Sequence, residues 1–224
     1  MLGRDPRVRE AFELSLDREG IVQFALDGEA LAGNQWVAPT NAYYAKNVPV
    51  PKRDLARAKA LLREAGVPNP RVSLMTTNTP LAQRVAEVVQ AMAREAGFDV
   101  EIKLTEFATS LAMADKGQFD AYAIGWSGRA DPDGNLFRVV GCNQSLNVAG
   151  YCNAEVDDLL LQSRSTQEAA KRAELYGRIA AIVLKDRPVI YLYHPNVLWA
   201  YTNKLQGLRP IPDGLVRVGG VRLD

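Results

Sequence analysis

Most of the side chains that could bind a ligand lie in one polar segment, residues 125–153 (GWSGRADPDGNLFRVVGCNQSLNVAGYCN). It starts within an apolar run, residues 121–126, which has the pattern of a strand buried on both faces. In α/β proteins, a buried strand that ends in a glycine-rich polar loop is a common place for a ligand. We therefore predict a ligand-binding site here. Its candidate residues are Trp126, Ser127, Gly128, Arg129, Asp131, Asp133 and Asn147.

The charged and aromatic residues of this segment have different expected roles. Asp131 precedes Pro132, a pairing suited to the start of a helix, so we expect Asp131 to be mainly structural. Arg129 has no such local task and is the better candidate to pair with an anionic group. Trp126 could be a core residue, but its position at a strand end favours a binding role.

The residue types argue against catalysis and against a metal site. His194 is the single histidine, and no motif for a nucleophile or a carboxylate accompanies it. One histidine and two cysteines without ligand spacing do not form a zinc site. The common phosphate-binding, dinucleotide-binding, serine-hydrolase and zinc-protease motifs are absent from the sequence. We expect a protein that is not an enzyme and that uses no metal and no cofactor.

The two cysteines, Cys142 and Cys152, close a short polar loop that contains Asn147 and Gly150. In an oxidising compartment they could form a disulfide, whereas in a cytoplasmic protein they would be two separate thiols. The residues alone leave both alternatives open, and the polar, glycine-containing loop favours the bridge.

Length and charge exclude several classes of protein. A chain of 224 residues forms one large domain or two small ones. With 27 Lys and Arg residues against 26 Asp and Glu residues, the formal net charge is +1, and the basic residues are scattered. Nucleic acid is therefore not an expected partner. No apolar run approaches the roughly 20 residues that span a bilayer.

Helical and strand patterns alternate along the chain, which predicts an α/β fold with a mixed sheet flanked by helices. Asp5 and Pro6 begin the first helix, and a second follows Asp17. Residues 205–224 are punctuated by Gly and Pro, and they predict an irregular tail without a helix. The remaining predicted helices cover residues 54–65, 80–96, 108–116, 154–163 and a last one that ends near Asp186, with a capping box formed by Ser165 and Glu168. The predicted strands cover residues 72–76, 100–105, 121–126, 189–193 and 197–202.

Several motifs together resemble one known family. In order along the chain they are DPRVREAFELSLDREGIV, AKALLREAGV, VAEVVQAMAREAGFDVEIK, FDAYAIGWSGRADPDGN, GYCNAEVDDLLLQSR and DRPVIYLYHPNVLWAYTNKLQGL. In order and spacing they are similar to the C-terminal part of bacterial extracellular solute-binding proteins of family 5, which serve oligopeptide, dipeptide and nickel ABC transporters. The resemblance extends from Asp5 to about Asp213.

The resemblance implies a periplasmic-binding-protein-like (type II) second lobe, formed by residues 1–204. Residues 205–224 would then be a tail that crosses back to a first lobe, and the chain would be a fragment of an exported, two-lobed protein with a signal peptide. The implied partners are a small-molecule or peptide ligand and the permease subunits of an ABC transporter. The implied location is periplasmic or otherwise extracytoplasmic. A disulfide in some dipeptide-binding members implies the same for Cys142 and Cys152.

One position departs from the family pattern. In members that bind peptides, an Asp three residues after the tryptophan at the strand end holds the ligand's α-amino group, and here that position is Arg129. The departure favours a ligand that presents an anion. Two other functions remain as alternatives: a sensor or regulatory domain built on the same lobe, and an α/β enzyme that uses the cluster around Trp126.

Overall fold

A computed structural model describes residues 2–211 and 214–224 of the chain. Its helices are α1 (Pro6–Ser15), α2 (Arg18–Leu26), α3 (Leu55–Glu64), α4 (Pro80–Ala96), α5 (Phe107–Asp115), α6 (Asp133–Val140), α7 (Ala154–Ser165) and α8 (Ala169–Asp186). Its strands are β1 (Ala30–Ala32), β2 (Arg71–Thr77), β3 (Asp99–Thr105), β4 (Ala121–Ala123), β5 (Tyr193–Pro195), β6 (Leu205–Gln206) and β7 (Arg222–Leu223). The predicted α/β class is confirmed.

The largest sheet has three parallel strands in the order β3-β2-β4. Strand β2 pairs with β3 from Arg71 opposite Asp99 to Thr77 opposite Thr105, and with β4 from Leu74 opposite Ala121. Parallel strands end at the same edge, so the segments after Thr77, Thr105 and Ala123 begin side by side. The antiparallel pairs, β1 with β5 and β6 with β7, form separate two-stranded sheets.

Helix α4 shows how the sequence builds the first hydrophobic core. The Thr79 side chain accepts a hydrogen bond from the backbone N–H of Ala82, Pro80 starts the helix, and Gly97 ends it in the left-handed conformation at φ 109°. The apolar side chains of α4 recur at helical spacing and therefore share one face, which packs on the sheet and on α1, α2 and α3. The buried residues of that face are Val85, Ala86, Val89, Met92, Ala93 and Ala96.

A second hydrophobic core lies between α6, α7 and α8. It also contains Trp36, Val37 and Ala45 from the long loop that follows β1. Helix α8 contributes one buried stripe at three- and four-residue spacing, as an amphipathic helix must. The residues of that stripe are Leu175, Tyr176, Ile179, Ala180 and Val183.

The carboxylate of Glu13 joins α1 and α2 to the end of α8. It accepts hydrogen bonds from Arg18 Nη2 and from Arg187 Nε, both at 2.6 Å. Glu13 and Arg18 are both buried. Removing one partner of such a buried pair would leave an uncompensated charge. The contact therefore helps to fix the position of the end of α8 against α1 and α2.

The strand predicted over residues 121–126 is wrong at its C-terminal end. Strand β4 stops at Ala123, all three of its residues are half-buried, and Ile124 and Trp126 are 45% and 48% exposed. The pairing of β4 with β2 runs from Leu74 opposite Ala121 to Thr76 opposite Ala123, so the ladder ends there and the chain continues as a loop. Leu104, which alternation places inward on β3, is also 45% exposed.

The two strands predicted over residues 189–193 and 197–202 are also wrong. The pairing is confined to β5, which opposes β1 and includes His194 and Pro195, two residues that lie between the predicted strands. The apolar residues just before β5 pack into the cores instead of joining a ladder, and the Tyr191 ring lies against Trp36 at 6.4 Å between centroids.

The predicted capping box of α8 is not formed. The helix begins at Ala169, after Glu168, and no side chain caps it. Ser165 ends α7 instead, and its hydroxyl donates to the carbonyl of Gln162 at 3.0 Å. A serine at this point can bond to the last carbonyls of the preceding helix, and here Ser165 does so instead of capping α8.

The tail is irregular, as predicted, and its described residues contain no helix. Outside residues 212–213, the regular pairing of the tail is that between β6 and β7, where Leu205 lies opposite Leu223. Over residues 2–211 and 214–224, no helix combines the length and apolar character needed to cross a membrane.

Candidate ligand-binding site

The candidate site lies at the carboxyl edge of the parallel sheet. Residues 124–132, which we call the Trp126 loop, connect β4 to α6. The neighbouring strands end beside it, and the backbone N–H of Asn78 after β2 donates to the carbonyl of Thr105 at 3.0 Å. Segments that leave parallel strands at this edge are the usual ligand-binding elements of α/β sheets.

One buried amide, Asn135 in the first turn of α6, organises the Trp126 loop. Its Oδ1 accepts hydrogen bonds from Trp126 Nε1 at 3.0 Å and from the backbone N–H of Arg129 at 2.6 Å. Its Nδ2 donates to the carbonyl of Arg129 at 2.7 Å. With Asn135 only 5% exposed, these three bonds hold the indole and the loop backbone in one arrangement.

Asn135 was not among the residues predicted from the sequence. The signal was present, because the residue stands directly after the Asp-Pro-Asp-Gly turn that starts α6. A polar residue at this point of a short helix can bond back to the preceding loop, but only the fold shows that it does so.

The Arg129 side chain has local contacts that the sequence did not predict. Its aliphatic part packs against Gly134, where an added Cβ would lie 2.9 Å from Arg129 Cγ. Its guanidinium carbon lies 5.6 Å from the centre of the Trp126 ring, within the range of a cation–π contact. Its Nη1 donates to the carbonyl and the hydroxyl of Ser127 and lies 3.4 Å from the carbonyl of Gly128.

Asp131 has the structural role that the sequence predicted, although α6 begins one residue later than expected. Its Oδ1 accepts a hydrogen bond from the backbone N–H of Asp133 at 2.9 Å. Both of its carboxylate oxygens also pair with Arg172, each at 3.0 Å. The hydrogen bond from Arg172 is the main cause that lowers the pKa of Asp131. Arg172 itself lies over the rings of Tyr43 and Tyr176.

Asp133 is also paired within the protein. Its Oδ1 lies 3.3 Å from Arg164 Nε, and the Arg164 guanidinium lies over the Phe137 ring at 4.1 Å. Both carboxylates of the predicted set therefore form ion pairs with arginines from α7 and α8, hydrogen-bonded in the case of Asp131 and by proximity alone in the case of Asp133 Oδ1. Among the predicted site residues, this leaves the exposed Trp126, Ser127, Gly128 and Arg129 without a carboxylate that an arginine already pairs.

Asn147 does not belong to this cluster. It lies in the segment closed by Cys142 and Cys152, residues 142–152, which we call the disulfide loop; the two cysteines are bonded to each other. Asn147 Nδ2 donates to the carbonyls of Gly141 and Tyr151 at 2.8 and 2.6 Å, and its Oδ1 accepts from the N–H of Tyr151. Its amide is thus engaged by backbone groups of the loop and of the adjacent Gly141, at the opposite end of α6 from the Trp126 loop.

His194 lies in β5, outside the Trp126 loop. Burial lowers the pKa of its imidazole, and its Nε2 has no hydrogen-bond partner within the described part of the chain. In the same described residues, no group of three or more His, Cys, Asp or Glu side chains is placed to hold a metal ion.

The geometry suits binding rather than bond making. Trp126 offers an aromatic surface, and Arg129 offers hydrogen-bond donors and a positive charge next to it. The hydrogen bonds from Arg172 lower the pKa of Asp131 and favour its ionised form, which carries no proton that a general acid would need.

Comparisons with known proteins agree with this description. The family model "Bacterial extracellular solute-binding proteins, family 5 Middle" matches residues 3–147, more than half of the chain. The oligopeptide-binding protein AppA of Bacillus subtilis (strain 168) is 28% identical over 230 residues, which cover 94% of this chain and 42% of AppA. The glutathione-binding protein GsiB of Escherichia coli (strain K12) is 30% identical over 221 residues, which cover 93% of this chain and 43% of GsiB.

A solved structure shows the same fold. Bacillus subtilis AppA in complex with a nonapeptide superposes with a TM-score of 0.85 at 25% sequence identity, over the whole of this chain and 48% of that one. The chain thus spans about two-fifths of the length of these curated relatives. From the match over residues 3–147, the chain belongs to the bacterial extracellular solute-binding proteins of family 5.

Proposed function

We propose that this chain is part of the substrate-binding component of an ABC import system for peptides or a related small solute. The observation that carries the proposal is the half-exposed Trp126, held by Asn135 at the carboxyl edge of the parallel sheet. Membership of the family supports it, as do relatives named for oligopeptides and glutathione. The partners would be the ligand and the permease subunits of the transporter.

The mechanism is binding without chemistry. Ligand bound against the Trp126 loop would also contact the rest of a longer, two-lobed protein, and contacts made only in the closed arrangement would favour closure. In this arrangement residues 1–204 are the second lobe, and residues 205–224 are the tail that returns to the first. Since only one side of the ligand would be covered, the isolated chain binds more weakly than the complete protein.

The proposed location is extracytoplasmic. The disulfide between Cys142 and Cys152 supports it, because such bonds persist in oxidising compartments and are rare in reducing ones. The family's own description as extracellular points the same way.

Nuclear magnetic resonance of the Trp126 indole tests the proposal directly. We would titrate the ¹⁵N-labelled chain with a mixture of di- and tripeptides at millimolar concentration and follow the three indole N–H signals. The Trp126→Phe variant assigns the signal, and the buried Trp36 indole is the internal control. A concentration-dependent shift of the Trp126 signal supports the proposal. Unchanged signals throughout the titration contradict a peptide site at the Trp126 loop.

A further inference from the structure

We infer that the Trp126 loop selects a ligand that presents a carboxylate, which pairs with the Arg129 guanidinium beside the exposed Trp126 indole. The inference rests on the proposed function, and it adds to it the chemical class of the group that this loop recognises. Four observations carry it, from charge, donor geometry, positioning and repulsion.

The first observation is the charge balance around the loop. The two carboxylates of the segment, Asp131 and Asp133, are paired with Arg172 and Arg164 at 3.0 and 3.3 Å. Arg129 has no carboxylate partner among residues 2–211 and 214–224. The cluster therefore presents one uncompensated positive charge to solvent, which matches one ionised carboxylate. A doubly charged phosphate would leave an excess negative charge.

The second observation is the edge of the guanidinium that remains open. The hydrogen bonds of the Arg129 side chain are all made through Nη1, to Ser127 and Gly128. Within the described residues, its Nε and Nη2 have no partner. Two parallel N–H groups on one edge of a guanidinium match the two oxygens of a carboxylate, in the bidentate geometry that arginine favours.

Arg172 shows what a saturated arginine looks like in this cluster. Its Nε donates to the carbonyl of Ser163 at 2.9 Å, and its Nη1 and Nη2 both bond to Asp131. Arg172 has no open edge for a ligand, although it carries the same charge. The difference between the two arginines is therefore one of available donors.

The third observation is that Arg129 is already positioned. Its backbone is bonded on both sides to Asn135, its aliphatic part packs on Gly134, and its guanidinium lies over Trp126. A side chain held in this way loses less conformational freedom when a ligand pairs with it.

The fourth observation concerns the opposite ligand charge. A ligand's ammonium group at this place would face the guanidinium with a like charge and find both nearby carboxylates already paired. Repulsion of this kind contributes to specificity as much as attraction does. The loop should therefore discriminate between the two ends of a short peptide.

Two matched probes test the inference. N-acetyl-alanyl-phenylalanine keeps the carboxylate and lacks the ammonium group, whereas alanyl-phenylalanine amide has the reverse. Affinities would be measured from the Trp126 indole shift in the wild-type chain and in R129Q, with R129K as the control that keeps the charge but loses the two-donor edge. Circular dichroism would confirm that each variant is folded.

We expect the acetylated probe to bind the wild-type chain at least about tenfold more tightly than the amide. R129Q should lose this preference, and R129K should keep only part of it. An equal or reversed preference in the wild-type chain overturns the inference and leaves the proposed function standing. If neither probe nor the peptide mixture moves the Trp126 signal, the proposed binding site falls, and the inference with it.

Discussion

Two polar loops flank helix α6, and they contain similar residues with different roles. The Trp126 loop precedes the helix and the disulfide loop follows it, and both are rich in glycine and in polar side chains. In the disulfide loop, a covalent bond and the amide of Asn147 bind the segment to itself. In the Trp126 loop, the organising amide, Asn135, comes from the helix behind it and leaves the loop's own side chains facing outward.

The difference teaches how to tell a structural polar residue from a binding one in this protein. Asn147 uses both its oxygen and its nitrogen for neighbouring backbone groups, so a ligand would have to displace those bonds. Arg129 keeps one edge of its guanidinium unbonded within the described residues. Residue type does not separate the two, whereas the state of each donor and acceptor does.

The largest expected effect comes from removing the disulfide. Replacing Cys142 and Cys152 by Ser should lower the free energy of unfolding by about 3 kcal/mol, because a loop with ten residues of separation is no longer closed in the unfolded chain. Urea denaturation under non-reducing conditions measures it. Ligand-induced shifts of the Trp126 indole should be unchanged, and their loss would show that the two loops are coupled.

The next effect concerns Asn135. Asn135→Ala should lower the free energy of unfolding by about 2 kcal/mol, because a buried amide is lost and the Trp126 and Arg129 N–H groups lose their acceptor. Unlike removal of the disulfide, this change should also abolish the preference for a carboxylate. Denaturation and the two-probe titration measure the two consequences. A destabilised variant with full discrimination would mean that Asn135 does not position the site.

Asn147→Ala is the matched change in the other loop. It should lower the free energy of unfolding by about 1 kcal/mol, since Asn147 is only partly buried and water can replace some of the lost hydrogen bonds. The binding of both probes should stay as in the wild-type chain. A weakened response of the Trp126 indole would assign Asn147 to the ligand site after all and break the comparison between the loops.

The smallest effect is the pH dependence contributed by Asp131. Arg172 lowers the pKa of this carboxyl in the folded chain, so the unfolded chain binds the proton more readily. The resulting stability is present above the ordinary pKa of 3.8 and is lost as the pH falls through the lower, folded-state value. Because the pair is partly exposed, we expect less than about 1 kcal/mol. Asp131→Asn should flatten the acid limb of the stability curve, and an unaltered limb would contradict this assignment.

Local signals account for much of what the sequence predicted correctly. Asp5 with Pro6, and Thr79 with Pro80 and Gly97, mark helix ends because caps and left-handed glycines act within a few residues. The family also followed from the order of motifs, which does not depend on tertiary contacts. The residues left the bridge between the two cysteines as the favoured of two alternatives, the resemblance implied it, and the structure confirms it.

The failures share a cause in contacts between distant residues. Strand β4 ends at Ala123 because its pairing with β2 ends there, and an apolar run does not reveal how far a strand finds a partner. Residues 197–202 form no strand for the same reason, since only β5 finds a partner, in β1. Asp131 and Asp133 could be recognised as paired only once α7 and α8 had placed Arg164 and Arg172 beside them.

By itself, then, the sequence determined the α/β class, the capped ends of α1 and α4, the family and the segment where binding residues gather. These depend on periodicity, caps and motif order, which act over short stretches of chain. Only the tertiary structure decided which of those residues are free. Both carboxylates are neutralised by arginines from other helices, Asn147 is consumed by its own loop, and Arg129 keeps an open edge beside Trp126. The physical reason is that the availability of a polar group depends on every partner the fold brings to it.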